Sequence, residues 1–321
     1  MSRILITGGS GFIGTNLVDS LASRGFEVLN FDVRAPLNNE HGRFYRAGDI
    51  LDADRLKEVL REFHPDCVVH LAARTDLLGG SVDNYQANTA GVQNLIEAIR
   101  RQPSVRRAIF ASSRYVHRTE VQPQGDCEYS PFTAYGESKA AGEGIVRRGN
   151  LEIPWLLIRP TSIWGPWFDI PYKGFFAAVR KGVYVHPAGE KLHKTYGFVG
   201  NVVHQIRAFL EAPTGLVHAK TFYVADYKPL EVREFAELIR GAFGAPPVRD
   251  VPLILMKTLA AGGDVIKKLG MRNPPLTSFR LNNLRAQMTY DLSATESVVG
   301  PLPYDLRQGV ELTVEWMKEY D

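Results

Sequence analysis

Three glycines spaced three residues apart, Gly8, Gly11 and Gly14, follow an apolar run at residues 4–6 near the start of the chain. A glycine can turn a chain sharply off a strand, and its missing side chain lets backbone N–H groups approach an anion. Residues 16–22 then have the pattern of a helix, whose N-terminus offers unpaired N–H groups and a partial positive charge. The spacing therefore predicts a site for the pyrophosphate of a dinucleotide.

The second apolar run ends in a carboxylate, Asp32, about 20 residues after the glycines, and a guanidinium, Arg34, follows two residues later. A carboxylate at this place accepts hydrogen bonds from an adenosine ribose and repels a 2′-phosphate, so NAD is favoured over NADP. Arg34 is a competing signal, because an arginine beside the ribose can pair with that phosphate.

Tyr135 and Lys139 are four residues apart in a predicted helix, so both side chains project from one face. A phenol titrates near ~10, and a nearby ammonium favours the phenolate and lowers that pKa. With such a lowered pKa, Tyr135 can remove a proton from a substrate hydroxyl while hydride leaves for a nicotinamide. Lys139 is also expected to hold the nicotinamide ribose.

The elements that must position these residues alternate between strands and helices. Strands are predicted at 3–7, 27–32, 43–46, 67–71, 107–111 and 154–159, and helices near 14–24, 52–63, 84–101 and 134–147. Such alternation predicts an α/β fold with a Rossmann-type doubly wound parallel sheet, whose ligands bind beyond the carboxyl ends of the strands. We expect a dinucleotide-binding domain over 1–165, to which some later segments return, and a small mixed α/β substrate subdomain over 166–321.

Composition excludes several classes of function. The 321 residues are 45% hydrophobic and 23% charged, as in soluble globular proteins, and a net charge of +3 does not indicate a nucleic-acid partner. Cys67 and Cys127 form no disulfide framework, so we expect a cytoplasmic protein. No signal segment, membrane span or metal-ligand spacing is present, and neither a membrane nor a metal partner is expected.

Six motifs follow one another along most of the chain, at residues 7–14, 48–50, 70–73, 88–92, 112–139 and 159–166. Together they resemble the extended short-chain dehydrogenase/reductase family, which includes NAD-dependent nucleotide-sugar epimerases and dehydratases. The resemblance implies NAD contacts at these motifs, namely at Gly8, Gly11, Phe12, Ile13, Gly14, Asp32, Arg34, Asp49, Ile50, Leu71, Ala72, Ala73, Arg74, Asn88, Ala111, Ser112, Tyr135, Lys139, Pro160 and Ser162.

The resemblance also implies a catalytic set of Ser113, Tyr135 and Lys139. Ser113 is chosen over Ser112 because the family places its catalytic hydroxyl three residues before a valine, here Val116. Ser113 is expected to hydrogen-bond the reacting hydroxyl and to steady the developing carbonyl.

The resemblance leaves three functions open. Arg114 and Tyr115 stand where the 4,6-dehydratases of the family have an Asp-Glu pair, so dehydration is not expected. We expect an epimerase that works through a transient keto intermediate. The alternatives are a sugar ketoreductase or dehydrogenase with net redox turnover and a non-catalytic dinucleotide sensor. The sensor ranks last because both Tyr135 and Lys139 are present.

The expected substrate is a nucleotide-activated sugar. Thr75, Ser162, Lys194 and Arg280 are candidate substrate contacts, and Arg272 and Arg285 are further cations that suit a nucleotide diphosphate. Helices near 88–101 and 134–147 form a four-helix dimer interface in many relatives, so the resemblance implies a homodimer.

Overall fold

The computed structural model describes residues 2–118, 125–169, 171–271 and 276–320. Its strands are β1 Arg3–Thr7, β2 Glu27–Asp32, β3 Tyr45–Ala47, β4 Cys67–His70, β5 Arg107–Ala111, β6 Trp155–Pro160, β7 Ser162–Trp164, β8 Val185–Pro187, β9 His193–Lys194, β10 Tyr196–Phe198, β11 Thr221–Val224, β12 Leu230–Glu231 and β13 Arg249–Val251. Its helices are α1 Phe12–Ala22, α2 Ala53–Phe63, α3 Ala90–Arg100, α4 Ala134–Arg148, α5 Tyr172–Arg180, α6 Val199–Glu211, α7 Thr214–Val217, α8 Val232–Phe243, α9 Leu253–Lys268, α10 Ser278–Arg285, α11 Ser293–Val299 and α12 Leu306–Tyr320.

The chain divides into two compact units. The first contains Met1–Trp167, Gly197–Tyr227 and Asp291–Tyr304, and the second contains Phe168–Tyr196, Lys228–Tyr290 and Asp305–Asp321. The first unit holds a seven-stranded sheet in the order β11-β6-β5-β4-β1-β2-β3, and every pair of neighbouring strands in it is parallel. This confirms the predicted Rossmann-type α/β fold.

Helices cover both faces of this sheet, which explains why its strands are continuous apolar runs. On one face, α2, α3 and α4 pack on the sheet through a cluster that includes Leu56, Leu95, Val146 and Phe110. The other helices of the unit form contacts among α1, α6 and α11. Among the described residues, no helix is long and apolar enough to cross a membrane.

Helix ends fix the positions of the functional segments. The Thr133 side chain accepts a hydrogen bond from the Gly136 backbone N–H and so starts α4 immediately before Tyr135. Asp52 caps α2 in the same way. Gly11 begins α1 without any side-chain cap, and no acidic residue lies in the first turn of that helix. No capping side chain and no first-turn carboxylate therefore offsets the partial positive charge of the α1 N-terminus.

Candidate active site

The glycine turn between β1 and α1 is tighter than its sequence alone indicates. Gly8 has a φ of 77°, in the left-handed region, and its N–H donates to the Phe31 carbonyl over 3.0 Å. A Cβ on Gly14 would lie 2.2 Å from the Gly8 carbonyl oxygen. Gly14 therefore packs directly against the turn, which leaves no room there for a side chain.

Asp32 and Arg34 both lie at the tip of β2 beside this turn. The Asp32 carboxylate is buried and accepts hydrogen bonds from the Ser10 and Arg34 backbone N–H groups, both at 3.0 Å. The Arg34 side chain is exposed, and its Nη2 would be 3.9 Å from a Cβ built on Gly11. The acid is therefore held rigidly, and the cation reaches the glycine turn.

The loop after β4 is braced from two sides. On one side its backbone passes against the glycine turn, since a Cβ on Gly8 would be 2.4 Å from the Ala72 nitrogen. On the other, the Asn88 side chain accepts from the Arg74 N–H at 2.9 Å and donates to the Arg74 carbonyl at 3.0 Å. The same Asn88 amide donates to Ser138 Oγ in α4, which links the loop to the helix that carries Tyr135.

Ser113, Tyr135 and Lys139 come together at the carboxyl end of β5. Each is less than 10% exposed, and the Ser113 and Tyr135 side chains are hydrogen-bonded to each other. The Lys139 ammonium donates to the Ala111 carbonyl over 2.7 Å, which fixes the base of α4 against the end of β5. The arrangement places a phenol, a hydroxyl and an ammonium at the edge of the sheet where ligands of this fold bind.

The pKa of the Tyr135 phenol differs from the expectation. Burial raises the pKa of Tyr135 to about 12, although its hydrogen bond with Ser113 and the charge of Arg114 act in the opposite direction. Burial also lowers the pKa of Lys139 to about 8. The predicted lowering of the phenol pKa by Lys139 is therefore wrong for the chain's own groups, because desolvation of the phenolate outweighs the charges around it.

Aromatic rings that no sequence motif assigns to the site surround Tyr135. Tyr85 and Tyr115 lie with ring centroids 6.0 Å and 5.7 Å from that of Tyr135, and Phe132 stacks on Tyr115 at 5.4 Å. The Arg114 guanidinium lies over the Tyr115 ring at 4.4 Å. In the sequence Arg114 is notable only as a departure from the dehydratase pattern, and its burial depends on contacts that no local pattern reveals.

The remaining cofactor candidates differ in exposure. Ile50 packs in the core, where a Cβ on Gly91 would be 2.6 Å from its Cγ2, so its side chain is used in packing. Asp49 is exposed, and its carboxylate accepts from the Leu51 N–H. The Ser112 hydroxyl is buried and has no hydrogen-bond partner among the described residues. Among the other candidates, Ser162 is buried and seven residues are half-buried. The half-buried ones are Phe12, Ile13, Leu71, Ala73, Arg74, Ala111 and Pro160.

The candidate substrate cations lie in the second unit, whereas the exposed Thr75 and the buried Ser162 lie in the first. Lys194 is 1% exposed, and its ammonium donates to the Asn283 and Ala286 carbonyls at the C-terminus of α10. A cation there stabilises the helix end, so in this structure Lys194 has a structural partner rather than an open position. Arg280 is exposed on α10, Arg285 pairs with Glu190, and Arg272 lies outside the described residues.

No group of three or more His, Cys, Asp or Glu side chains within the described ranges could hold a metal ion.

Comparison with known proteins gives a consistent result. The model of the NAD dependent epimerase/dehydratase family matches residues 4–225. A 3 beta-hydroxysteroid dehydrogenase/Delta 5-->4-isomerase of Mycobacterium tuberculosis is 31% identical over 264 residues, which are 76% of this chain and 70% of the relative. The N-acetyl-alpha-D-glucosaminyl-diphospho-ditrans,octacis-undecaprenol 4-epimerase of Escherichia coli O157:H7 is 26% identical over 98% of this chain and 95% of its own length.

Solved structures support the fold. The crystal structure of a UDP-glucose 4-epimerase with UDP-glucose from Thermotoga maritima superposes with a TM-score of 0.74 and 21% identity, covering 99% of each chain.

Proposed function

Because the chain belongs to the NAD-dependent epimerase/dehydratase family, we propose that it is an enzyme that transfers hydride between NAD and a secondary alcohol carbon. The buried triplet of Ser113, Tyr135 and Lys139 is the observation that carries this proposal. These three side chains are the proposed catalytic residues, since a proton must move on and off the alcohol oxygen as hydride moves on and off its carbon.

The first unit fits a dinucleotide. The N-terminus of α1, without a side-chain cap and without an acid in its first turn, suits the negative charge of a pyrophosphate. The Asp32 oxygens each accept one backbone N–H and keep lone pairs for an adenosine ribose. Lys139 would hold the nicotinamide ribose. When bound, NAD supplies a hydride acceptor and, in its oxidised form, a positive charge.

The proposed roles follow from the positions of the side chains. The Ser113 hydroxyl forms one hydrogen bond with the reacting oxygen and one with the Tyr135 hydroxyl, so it orients both groups. Tyr135 takes the hydroxyl proton when the alcohol is oxidised and returns a proton when the ketone is reduced. Arg114 and any further positive charge beside the phenol lower its pKa, which opposes the effect of burial.

For the substrate we propose a diphosphate-activated sugar, which is oxidised to a ketone and reduced from the other face. The epimerase relative from Escherichia coli O157:H7 supports this choice, because it aligns with this chain almost from end to end. Its substrate, by name, is a sugar on an undecaprenol diphosphate, so both nucleotide-linked and lipid-linked sugars belong in the test.

A second candidate function is net oxidation of an apolar alcohol. Its support is the aromatic wall beside Tyr135, in which Phe132 is 45% exposed, and the exposed Leu77 and Leu78 of the loop after β4. The 31% identical hydroxysteroid dehydrogenase relative is consistent with such a substrate. An apolar alcohol would be recognised mainly through the burial of its skeleton.

The test follows two signals from purified protein, the absorbance of reduced nicotinamide and the NMR spectrum of the substrate. A new sugar stereoisomer without net absorbance change supports the epimerase, and a stoichiometric absorbance change with a steroid alcohol supports the second candidate. Tyr135→Phe should lower the rate by about 10²- to 10⁴-fold while cofactor binding persists. Tyr45→Phe, which removes a phenol hydroxyl from β3, is the matched control. A Tyr135→Phe protein with full activity would refute the catalytic assignment.

The cofactor and the assembly are part of the proposal. We propose NAD rather than NADP because Asp32 is held at the tip of β2, and Arg34→Ala should leave NAD affinity nearly unchanged. If the wild type binds NADP more tightly than NAD and Arg34→Ala loses most of that NADP affinity, the assignment is reversed.

The predicted homodimer is tested by the mass from light scattering at micromolar concentration, and the predicted cytoplasmic location by cell fractionation.

A further inference from the structure

The helix α9 turns large apolar side chains toward solvent. Ile254 is 81% exposed, Leu259 55%, Val265 57% and Leu269, directly after the helix, 82%. Together with the exposed Leu255 and Ile266, these residues form what we call the α9 apolar face. Five large apolar side chains on a helix of 16 residues, with Leu269 directly after it, exceed the scattered single exposures that are normal on a protein surface.

The opposite side of α9 is the one that packs within the second unit. Met256 and Ala260 are each 1% exposed and form a small cluster with Leu281 of α10. A Cβ on Gly263 would lie 1.8 Å from the Leu276 carbonyl oxygen, so the backbones approach closely there. Amphipathic helices of globular proteins normally pack their large apolar residues inward. In α9 the inward side is built largely from small residues, and most of the large ones face out.

Two further large apolar residues of this helix pair are exposed. Met271, three residues after α9, is 52% exposed, and Phe279 of α10, which packs against α9, is 72% exposed. Such a concentration of exposed apolar residues marks an interaction site.

The charges on α9 select among the possible partners. Lys257 lies one turn after Ile254, Lys267 follows Ile266 directly, and both are exposed. The acid of this helix, Asp264, is half-buried, and its carboxylate accepts from the Ser278 backbone N–H. The solvent side of α9 therefore combines apolar residues with lysines, whose long stems can lie along the apolar surface while the ammonium groups reach outward.

We propose that the α9 apolar face rests on the surface of a membrane that contains anionic lipids. An apolar helix face flanked by lysines is the pattern of a helix that lies in the plane of the lipid headgroups. The lysines then approach lipid phosphates, and the leucines and isoleucines enter the acyl boundary. With 16 residues α9 is shorter than the ~20 that a span needs, so it lies on the bilayer and does not cross it.

The charge pattern is what favours a bilayer over a protein partner. Among the described side chains of α9, the exposed charged ones are Lys257 and Lys267. Both are positive, so they offer no opposite charge to a second copy of this chain. An anionic lipid surface instead attracts every exposed lysine of the helix.

The experiment is vesicle co-sedimentation of the full chain, with phosphatidylcholine vesicles and with phosphatidylcholine–phosphatidylserine vesicles. Binding should be stronger to the serine-containing vesicles and should weaken with salt. Leu259→Glu and Ile266→Glu should each lower binding by roughly tenfold or more, because each replaces an inserted apolar group by a charge. Lys257→Glu with Lys267→Glu should remove the preference for anionic vesicles.

Controls separate this effect from loss of fold. Leu312→Glu changes a 39% exposed leucine on α12 and should leave vesicle binding unchanged. NAD binding in the first unit and the circular dichroism spectrum report whether each variant is folded. Equal binding of wild type and Leu259→Glu would overturn the proposal. So would a wild-type dimer without vesicle binding that Leu259→Glu converts to a monomer, because the face would then be a subunit interface.

Discussion

His70 offers a direct test of the electrostatics at the carboxyl end of the sheet. It ends β4, is 2% exposed, and its Nδ1 is 2.7 Å from Thr7 Oγ1. Burial lowers the pKa of His70 to about 3, and the charge of Lys139 acts in the same direction. The folded protein therefore holds this imidazole neutral over a range of pH in which the unfolded chain, with an ordinary histidine pKa near ~6.5, takes up a proton.

The sign and size of the effect follow from linkage. Between about pH 3 and 6.5 the unfolded state binds the extra proton, so the free energy of unfolding falls as pH decreases through this window. With these two pKa values, lowering the pH from 7.5 to 5 costs about 2 kcal/mol of stability at this one site. Most of the effect arises below pH 6.5, where more than half of the unfolded chains carry the proton on this imidazole.

The assay is urea unfolding of wild type and His70→Asn at pH 7.5, 6 and 5. The variant loses packing and a hydrogen bond at every pH, so the informative quantity is the change in its free energy of unfolding between pH 7.5 and 5. That change should be about 2 kcal/mol smaller than in wild type. His64→Asn, which removes an exposed histidine after α2, should follow the wild-type dependence. Parallel curves for wild type and His70→Asn would refute the reasoning.

Two further predictions concern buried charge and backbone packing in the first unit. Glu143→Gln should destabilise the protein by about 3 kcal/mol or more in chemical denaturation, because Arg159, 1% exposed and paired with Glu143 at 2.8 Å, would keep an uncompensated buried charge. Glu62→Gln, in an exposed pair, should cost less than about 1 kcal/mol, and equal effects would contradict this account. Gly14→Ala should abolish measurable NAD binding by calorimetry, because its Cβ would meet backbone atoms at 2.2 Å. Gly42→Ala, whose Cβ has nothing within 4 Å, should bind NAD as wild type does, and normal binding by Gly14→Ala would contradict the prediction.

The sheet could be predicted where buried strands leave an uninterrupted apolar run. The strands β1, β2 and β5 have the predicted bounds, and the chain order of the first six sheet strands is confirmed. The seventh, β11, was missed because its four residues follow a stretch in which strands and helices no longer alternate. The helix predicted over 84–101 is two elements, since Thr89 at φ −124° and ψ −77° interrupts it, and backbone geometry of this kind leaves no periodic signal.

The candidate site could be predicted only where its parts are close in sequence. The glycine turn and the Tyr135–Lys139 pair depend on short spacings, and the structure brings them to one edge of the sheet. The aromatic neighbours of Tyr135 come from three separate segments, so only the fold reveals them. Lys194 is the opposite case. Its charge in the sequence suggested a phosphate contact, whereas its burial at the end of α10 depends on residues almost a hundred positions away.

The raised pKa of Tyr135 bears on how one side chain would serve both halves of the proposed epimerisation. With a pKa of about 12, roughly one phenol in 100,000 is ionised at pH 7, so the chain's own groups favour Tyr135 as a proton donor to a ketone oxygen. Oxidation of an alcohol requires the reverse, and a positive charge beside the phenol lowers its pKa in that direction. Oxidised nicotinamide carries such a charge and its reduced form does not. The preference of Tyr135 for taking or returning a proton is therefore expected to change with the redox state of the cofactor, in the direction that each half-reaction needs.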